Sequence, residues 1–134
     1  MNVLFIENAG HTSAGAFHAL LVLIDKLKKY GVNSYVALPD RADGIELLKK
    51  KNIPYITLRE CSYTQMILVK APLIEKIKMP FKNIAVRCAA RRLVRYVKDN
   101  KIDIIHENTS ACYIGKYVAK RINVKHVWHI LFFQ

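Results

Sequence analysis

The sequence predicts an α/β domain built on a doubly wound, mainly parallel, Rossmann-like sheet, and three observations predict it. Short apolar runs alternate with segments of helical period along all 134 residues. The first run, Val3-Leu4-Phe5-Ile6, is apolar at successive positions, as a strand covered by helices on both faces must be. Strands alternating with helices imply parallel βαβ units with right-handed crossovers, and hence the strand order 3-2-1-4-5.

Each element has a local reason. After the first strand comes a polar loop, Glu7 to Ser13, then a helix from about Ala14 to Tyr30. Ser13 is the expected N-cap, Phe17, Leu20, Leu21, Leu23, Ile24 and Leu27 form its apolar face, and Gly31 stops it. Ser34 to Leu38 reads as the second strand, ended by Pro39-Asp40. A short helix opened by Asp43 or Gly44 runs to Lys51, and Tyr55 to Leu58 reads as the third strand. Arg59 to Pro80 has no clear pattern: a loop, a short helix around Ala71 to Lys78, or both. A longer helix spans about Phe81 to Asn100, a fourth strand Ile102 to His106, a helix Ser110 to Arg121, and a fifth strand His126 to Ile130.

Composition excludes several classes. With 52% hydrophobic residues, five Gly and four Pro, the chain can bury a core and is neither collagen-like nor low-complexity. No apolar run approaches the roughly 20 residues of a membrane span, and Met1-Asn2-Val3 lacks the basic start of a signal peptide. Cys61, Cys88 and Cys112 are odd in number and widely spaced, so neither a disulfide framework nor a zinc site is expected, and the cytoplasm fits. Cys112, on a helix, reads as a small buried hydrophobe.

The net charge of +12 is concentrated. From Met66 to Lys101 there are ten Lys and Arg against two acids, interleaved with Met66, Ile67, Leu68, Leu73, Ile74, Ile77, Met79, Phe81 and Ile84. Such interleaving fits contact with an anionic membrane surface through Lys82, Arg87, Arg91, Arg92 and Arg95, peripheral on the inner face of the membrane. A solvated helix face is the plainer reading. No recognition motif or aromatic platform supports nucleic acid.

Ligands of an open parallel sheet sit beyond the carboxyl ends of its strands. The loops there lack several chemistries. Gly10 and Gly15 have P-loop spacing, but Ala16-Phe17 stands where the Lys and hydroxyl belong, so a nucleotide triphosphatase is excluded. No dinucleotide fingerprint, receiver acidic pair or Gly-x-Ser-x-Gly elbow is present, and no acidic pair is placed to hold a metal. What remains is small residues and helix N–H groups able to receive a phosphate or a sugar hydroxyl.

Three segments resemble the N-terminal domain of family 4 retaining glycosyltransferases of the GT-B fold. Asn2 to Ile6 is followed by Ser13-Ala14-Gly15-Ala16, a softened form of that family's Gly-Gly-Ala-Glu-like opening, and by Leu27 to Val32. Pro54-Tyr55-Ile56-Thr57-Leu58 is similar to the family's third strand. Lys101 to Ser110, Gly115 to Ala119 and Val124 to Ile130 are similar to its Asp-Ile-Ile-His strand and to its helix-to-strand unit ending in a His.

The resemblance implies the acceptor-side domain of an enzyme moving a sugar from a nucleotide-sugar to a polysaccharide or glycolipid acceptor. It implies one domain over 1–134, incomplete at its carboxyl end. The donor-binding domain with its Glu-x-x-x-x-x-x-x-Glu motif is expected to be absent, which leaves the chain inactive alone. The alternative is a non-catalytic binding or membrane-attachment module serving a partner chain. No cofactor is expected. The nucleotide-sugar would bind only with a second domain, and exposure of Trp128, Ile130, Leu131, Phe132 and Phe133 would favour self-association.

Within that frame His129 is the catalytic candidate, against the simpler reading of a strand-end histidine donating to a carbonyl. Substrate-binding candidates are Glu7, His11, Ser13, Gly15, His106, Asn108 and Ser110. His106 serves equally as a core residue, Asn108 through Ser110 as helix caps, and Gly15 as a close helix–sheet contact.

Overall fold

The computed structural model describes residues 1–63 and 72–129. The element order is β1 (Asn2–Ile6), α1 (Gly15–Lys28), β2 (Asn33–Leu38), α2 (Ile45–Lys50), β3 (Tyr55–Thr57), a 3-10 turn (Arg59–Ser62), α3 (Leu73–Asp99), β4 (Ile104–Glu107), α4 (Ile114–Ile122) and β5 (Lys125–Trp128). The five strands form one sheet in the order β3-β2-β1-β4-β5, with every pairing parallel, as the alternation predicts.

Successive side chains of a strand point to opposite faces, so β1 feeds two cores at once. Leu4 and Ile6 pack with Val86, Ala90, Leu93, Ile114 and Val118 of α3 and α4. Val3 and Phe5 pack with Phe17, Leu20, Leu21 and Ile24 of α1 and Leu48 of α2. Leu4, Phe5 and Ile6 are all but sealed from solvent, each worth about 1.5–3 kcal/mol of burial. At the amino end of β1, Asn2 donates from Nδ2 to the carbonyls of Asn100 and Lys101, and its backbone N–H to Asp103. That ties the central strand to the turn entering β4.

Three local expectations need correction. Ser13 does not cap α1: Ala14 holds the cap position, without a side-chain bond. Asn108 to Ser110 do not cap α4 either, because that helix starts only at Ile114, after Tyr113, and Cys112 lies ahead of it, buried. Pro80 does not separate two helices. It lies inside α3, one helix of 27 residues. Its missing N–H frees only the carbonyl of Lys76, and both residues are exposed, so solvent can satisfy that oxygen. Gly31 does end α1, at φ +73°, the left-handed conformation that glycine adopts at no steric cost.

Among the described residues no helix is long and apolar enough to cross a membrane. The segment around Met66, Ile67 and Leu68 lies outside the described residues, as do Ile130, Leu131, Phe132 and Phe133.

Candidate functional site

The carboxyl edge of the sheet gathers the loops after all five strands, and two arrangements stand there. The first lies over β1, β4 and β5. Glu7 directly follows β1, a buried carboxylate whose Oε1 accepts the N–H groups of Asn8 (3.1 Å) and Ala9 (3.3 Å). Its Oε2 accepts Asn108 Nδ2 at 2.6 Å, and the same amide reaches the carbonyl of Ala16 at 3.2 Å. Asn108 therefore fastens the start of α1 to the end of β4 rather than capping a helix.

Glu107 is a second buried carboxylate. Oε1 accepts Gly115 N–H at 2.8 Å, and Oε2 pairs with His126 Nε2 at 2.8 Å. Burial pushes its pKa above the ordinary value, against the lowering effect of those bonds. Gly115 must be small: an added Cβ would stand 2.9 Å from the Glu107 carboxyl and 3.0 Å from Ile105.

These groups set the position of His129. Its N–H donates to the Glu107 carbonyl at 2.9 Å, Trp128 Nε1 donates to the Thr109 carbonyl at 3.0 Å, and His126 is held by Glu107. The end of β5 is thus pinned at three points, while the His129 side chain stays exposed. Its ring meets the His106 ring edge-on, centroids 5.6 Å apart, and His106 leans on Phe5 at 5.2 Å. His106 Nδ1 is buried without a partner. Burial lowers the pKa of His106, and the neighbouring His129 lowers it further.

The second arrangement lies over β2 and β3. Asp43 binds the loop after β1: it accepts the N–H of Thr12 (2.9 Å) and the Thr12 hydroxyl (2.7 Å), and pairs with His11 Nδ1 at 3.3 Å. Those bonds hold its pKa below the usual carboxylate value. Gly44 N–H donates to the Gly10 carbonyl at 3.0 Å, and a Cβ on Gly44 would meet that oxygen and the Phe17 ring at 2.5 Å. Two loops are so closed on each other. Beside them opens a cleft of about 420 Å³ lined by Asn8, His11, Asp40, Arg41, Arg59 and Ser62, with Ala9, Pro39 and Ala42.

The structure therefore brings together His106 with His129 and Glu7 with Asn108, and places His11 apart with Asp43. Ser13, Gly15 and Ser110 are exposed at loop ends. Gly15 is not a packing glycine, since a Cβ there would meet nothing within 4 Å. Sequence reasoning missed Glu107, His126, Arg41 and Arg59. Among the described residues no group of three His, Cys, Asp or Glu side chains converges to hold a metal ion.

Of the basic residues on α3, Lys82 pairs with Glu75 at 3.0 Å and Arg87 lies over the Tyr117 ring, 5.5 Å from its centroid. Arg91, Arg92 and Arg95 are exposed.

Solved structures share this fold. MurG from Acinetobacter baumannii matches at a TM-score of 0.65 and 20% identity, over 96% of this chain and 34% of that one. A glycosyltransferase from Rickettsia africae ESF-5 matches at 0.64 and 15% identity, over 95% of this chain and 28% of that one. This chain spans about a third of the length of each, and at such identities the likeness is one of fold. No protein-family model and no curated protein matches the sequence. The chain is a Rossmann-like α/β domain of the kind found in these structures.

Proposed function

We propose that this chain is the acceptor-side domain of a glycosyltransferase. The observation that carries the reading is exposed His129, its backbone pinned after β5 and its ring against His106 of β4, the strand that borders β1 at the switch, on a fold shared with glycosyltransferase structures. In the assembled enzyme a sugar passes from a nucleotide-sugar to an acceptor hydroxyl, with retention, in a cleft closed by a second, donor-binding domain. His129 faces that cleft and touches the reacting sugar, and His11, Ser13 and Ser110 orient acceptor hydroxyls. Glu7 and Asn108, buried, hold the loops in register. Rate enhancement then comes mostly from positioning and fixed dipoles.

The test is a titration of the full chain with a neutral oligosaccharide panel, watching the imidazole resonances by NMR. His129 and His106 should shift and His18 should not. Sugar binding that leaves both site histidines unmoved would sink the reading. The 134 residues alone should neither transfer nor hydrolyse a nucleotide-sugar.

A second reading concerns attachment, and α3 favours it. Leu73, Ile77, Phe81, Ile84, Cys88, Arg91 and Arg95 recur at intervals of four or three residues, which places them on one side of the helix. All are exposed, the four large apolar ones by 59–73%. An apolar stripe ending in guanidiniums suits the surface of an anionic bilayer, on the side of α3 away from Val86, Leu93 and Val97. Vesicles with anionic lipid should bind the chain better than neutral ones, and changing Arg91, Arg92 and Arg95 to Ser should weaken binding far more than changing Lys26, Lys28 and Lys29. Equal losses would reduce the stripe to a solvated basic face.

A further inference from the structure

We propose that the cleft between Arg41 and Arg59 is an anion subsite, which takes a phosphate or carboxylate group carried on the sugar acceptor. The proposal rests on the acceptor-side reading and adds the chemical class of the acceptor. Three features support it.

The first is place. The cleft opens beyond the carboxyl ends of β2 and β3, against the loop that leaves β1, so it adjoins the edge where parallel sheets take ligands. Its volume of about 420 Å³ falls within the range of ligand sites, about 300–1,000 Å³.

The second is charge. The lining holds two arginines against one carboxylate, Asp40. Of the acids just outside the lining, Asp43 is spent on Thr12 and His11, and Glu60, next to Arg59 on the 3-10 turn, makes no ion pair with it. Neither Arg41 nor Arg59 makes an ion pair among the described residues. A guanidinium presents parallel N–H groups that match phosphate or carboxylate oxygens. Asn8, Asp40 and Ser62 supply the hydrogen-bonding groups that sugar hydroxyls need.

The third is rigidity. Arg41 sits in the short turn between β2 and α2, whose far side is closed by the Gly44–Gly10 bond and the Asp43–Thr12 bonds. Arg59 sits on the 3-10 turn, anchored by buried Leu58 and Cys61 and by the Ser62 hydroxyl donating to the Arg59 carbonyl at 2.7 Å. Two braced backbone segments thus fix where both arginine side chains start, and this part of the ordering cost is met before any ligand arrives.

The experiment titrates the full chain with a hexose phosphate, a hexuronic acid, the neutral hexose and inorganic phosphate, read by NMR and calorimetry. A charged sugar should bind more tightly than the neutral one and than inorganic phosphate. Arg41→Gln and Arg59→Gln should each weaken it by about tenfold, the measure of one charge-assisted contact. The control pair Lys49→Gln and Lys50→Gln, equal in charge removed but outside the cleft, should bind as the parent does. Preference for the phosphate or the uronate identifies the source of the anion. Equal weakening in the control, or no preference for a charged sugar over the neutral one, overturns the proposal. Neutral-sugar shifts at His129 are independent of both arginines, so the acceptor-side reading survives or fails separately.

Discussion

At the mouths of β1 and β4, two carboxylates are 1% and 0% exposed, and all four of their oxygens accept a hydrogen bond from the chain itself. At the mouths of β2 and β3, two exposed arginines line an open cleft and form no ion pair among the described residues. The two halves of one sheet edge handle charge in opposite ways. A charge taken out of water has to be fully satisfied internally, and it then fixes geometry. A charge left in water at a concave, ordered site keeps its bonding capacity for something else. Charge alone does not separate scaffold from binding surface; the degree of satisfaction does.

Glu107→Ala puts the most weight on this contrast. It strips the acceptor from a buried N–H and from His126, and should lower stability by about 3 kcal/mol in urea unfolding. A loss below about 1 kcal/mol would mean that the half over β4 is not held by its carboxylate. Gly115→Ala should cost about 2 kcal/mol by crowding that carboxyl, and less in a Glu107→Ala background, a non-additivity a double-mutant cycle detects.

The pH dependence is smaller and has two opposite components. Glu107, with its pKa raised by burial, contributes stability that is present at low pH and lost as pH rises through the raised value. His106, with its pKa lowered from 6.5, contributes stability that is present above 6.5 and lost as pH falls from there through the lowered value. On acidification below pH 6.5 the His106 component should therefore pull stability down, and His106→Phe, which keeps a ring against Phe5, should remove that component and leave the opposite trend of Glu107. An unchanged pH dependence in the variant would assign the titration elsewhere. Least of all, Arg41→Gln with Arg59→Gln should change stability by no more than about 0.5 kcal/mol, as surface changes do. A larger loss would make the cleft part of the scaffold and abolish the contrast.

The sheet was legible because apolar runs such as Val3 to Ile6 and Val36 to Leu38 carry a local pattern, and Gly31 and Pro39 mark their limits. α3 was not. Its amino-terminal half faces solvent with Leu73, Ile77 and Phe81, so apolar periodicity there does not report burial, and Pro80 signals a stop that an exposed helix tolerates. The site was half legible. His106, one residue from the end of β4, and His129, directly after β5, can be found by position. The Glu7–Asn108 bond joins residues 101 apart, and Glu107 looks like any polar residue leaving a strand until His126 and Gly115 are brought to it. Arg41 and Arg59 carry no sequence signal because a lone arginine in a turn is ordinary; only the cleft between them gives them meaning.

The pairing of Val3 with Ile104 sets a schedule for the growing chain. β1 finds β2 soon after it emerges from the ribosome, since a single helix separates them. Its other edge waits for β4, about a hundred residues later, which at about 5–20 residues per second is roughly 5–20 s. Through that interval the central strand of the finished sheet is an unpaired border, apolar on the side that α3 and α4 will cover. Until β4 arrives, that border is the part of the chain most open to pairing with another strand.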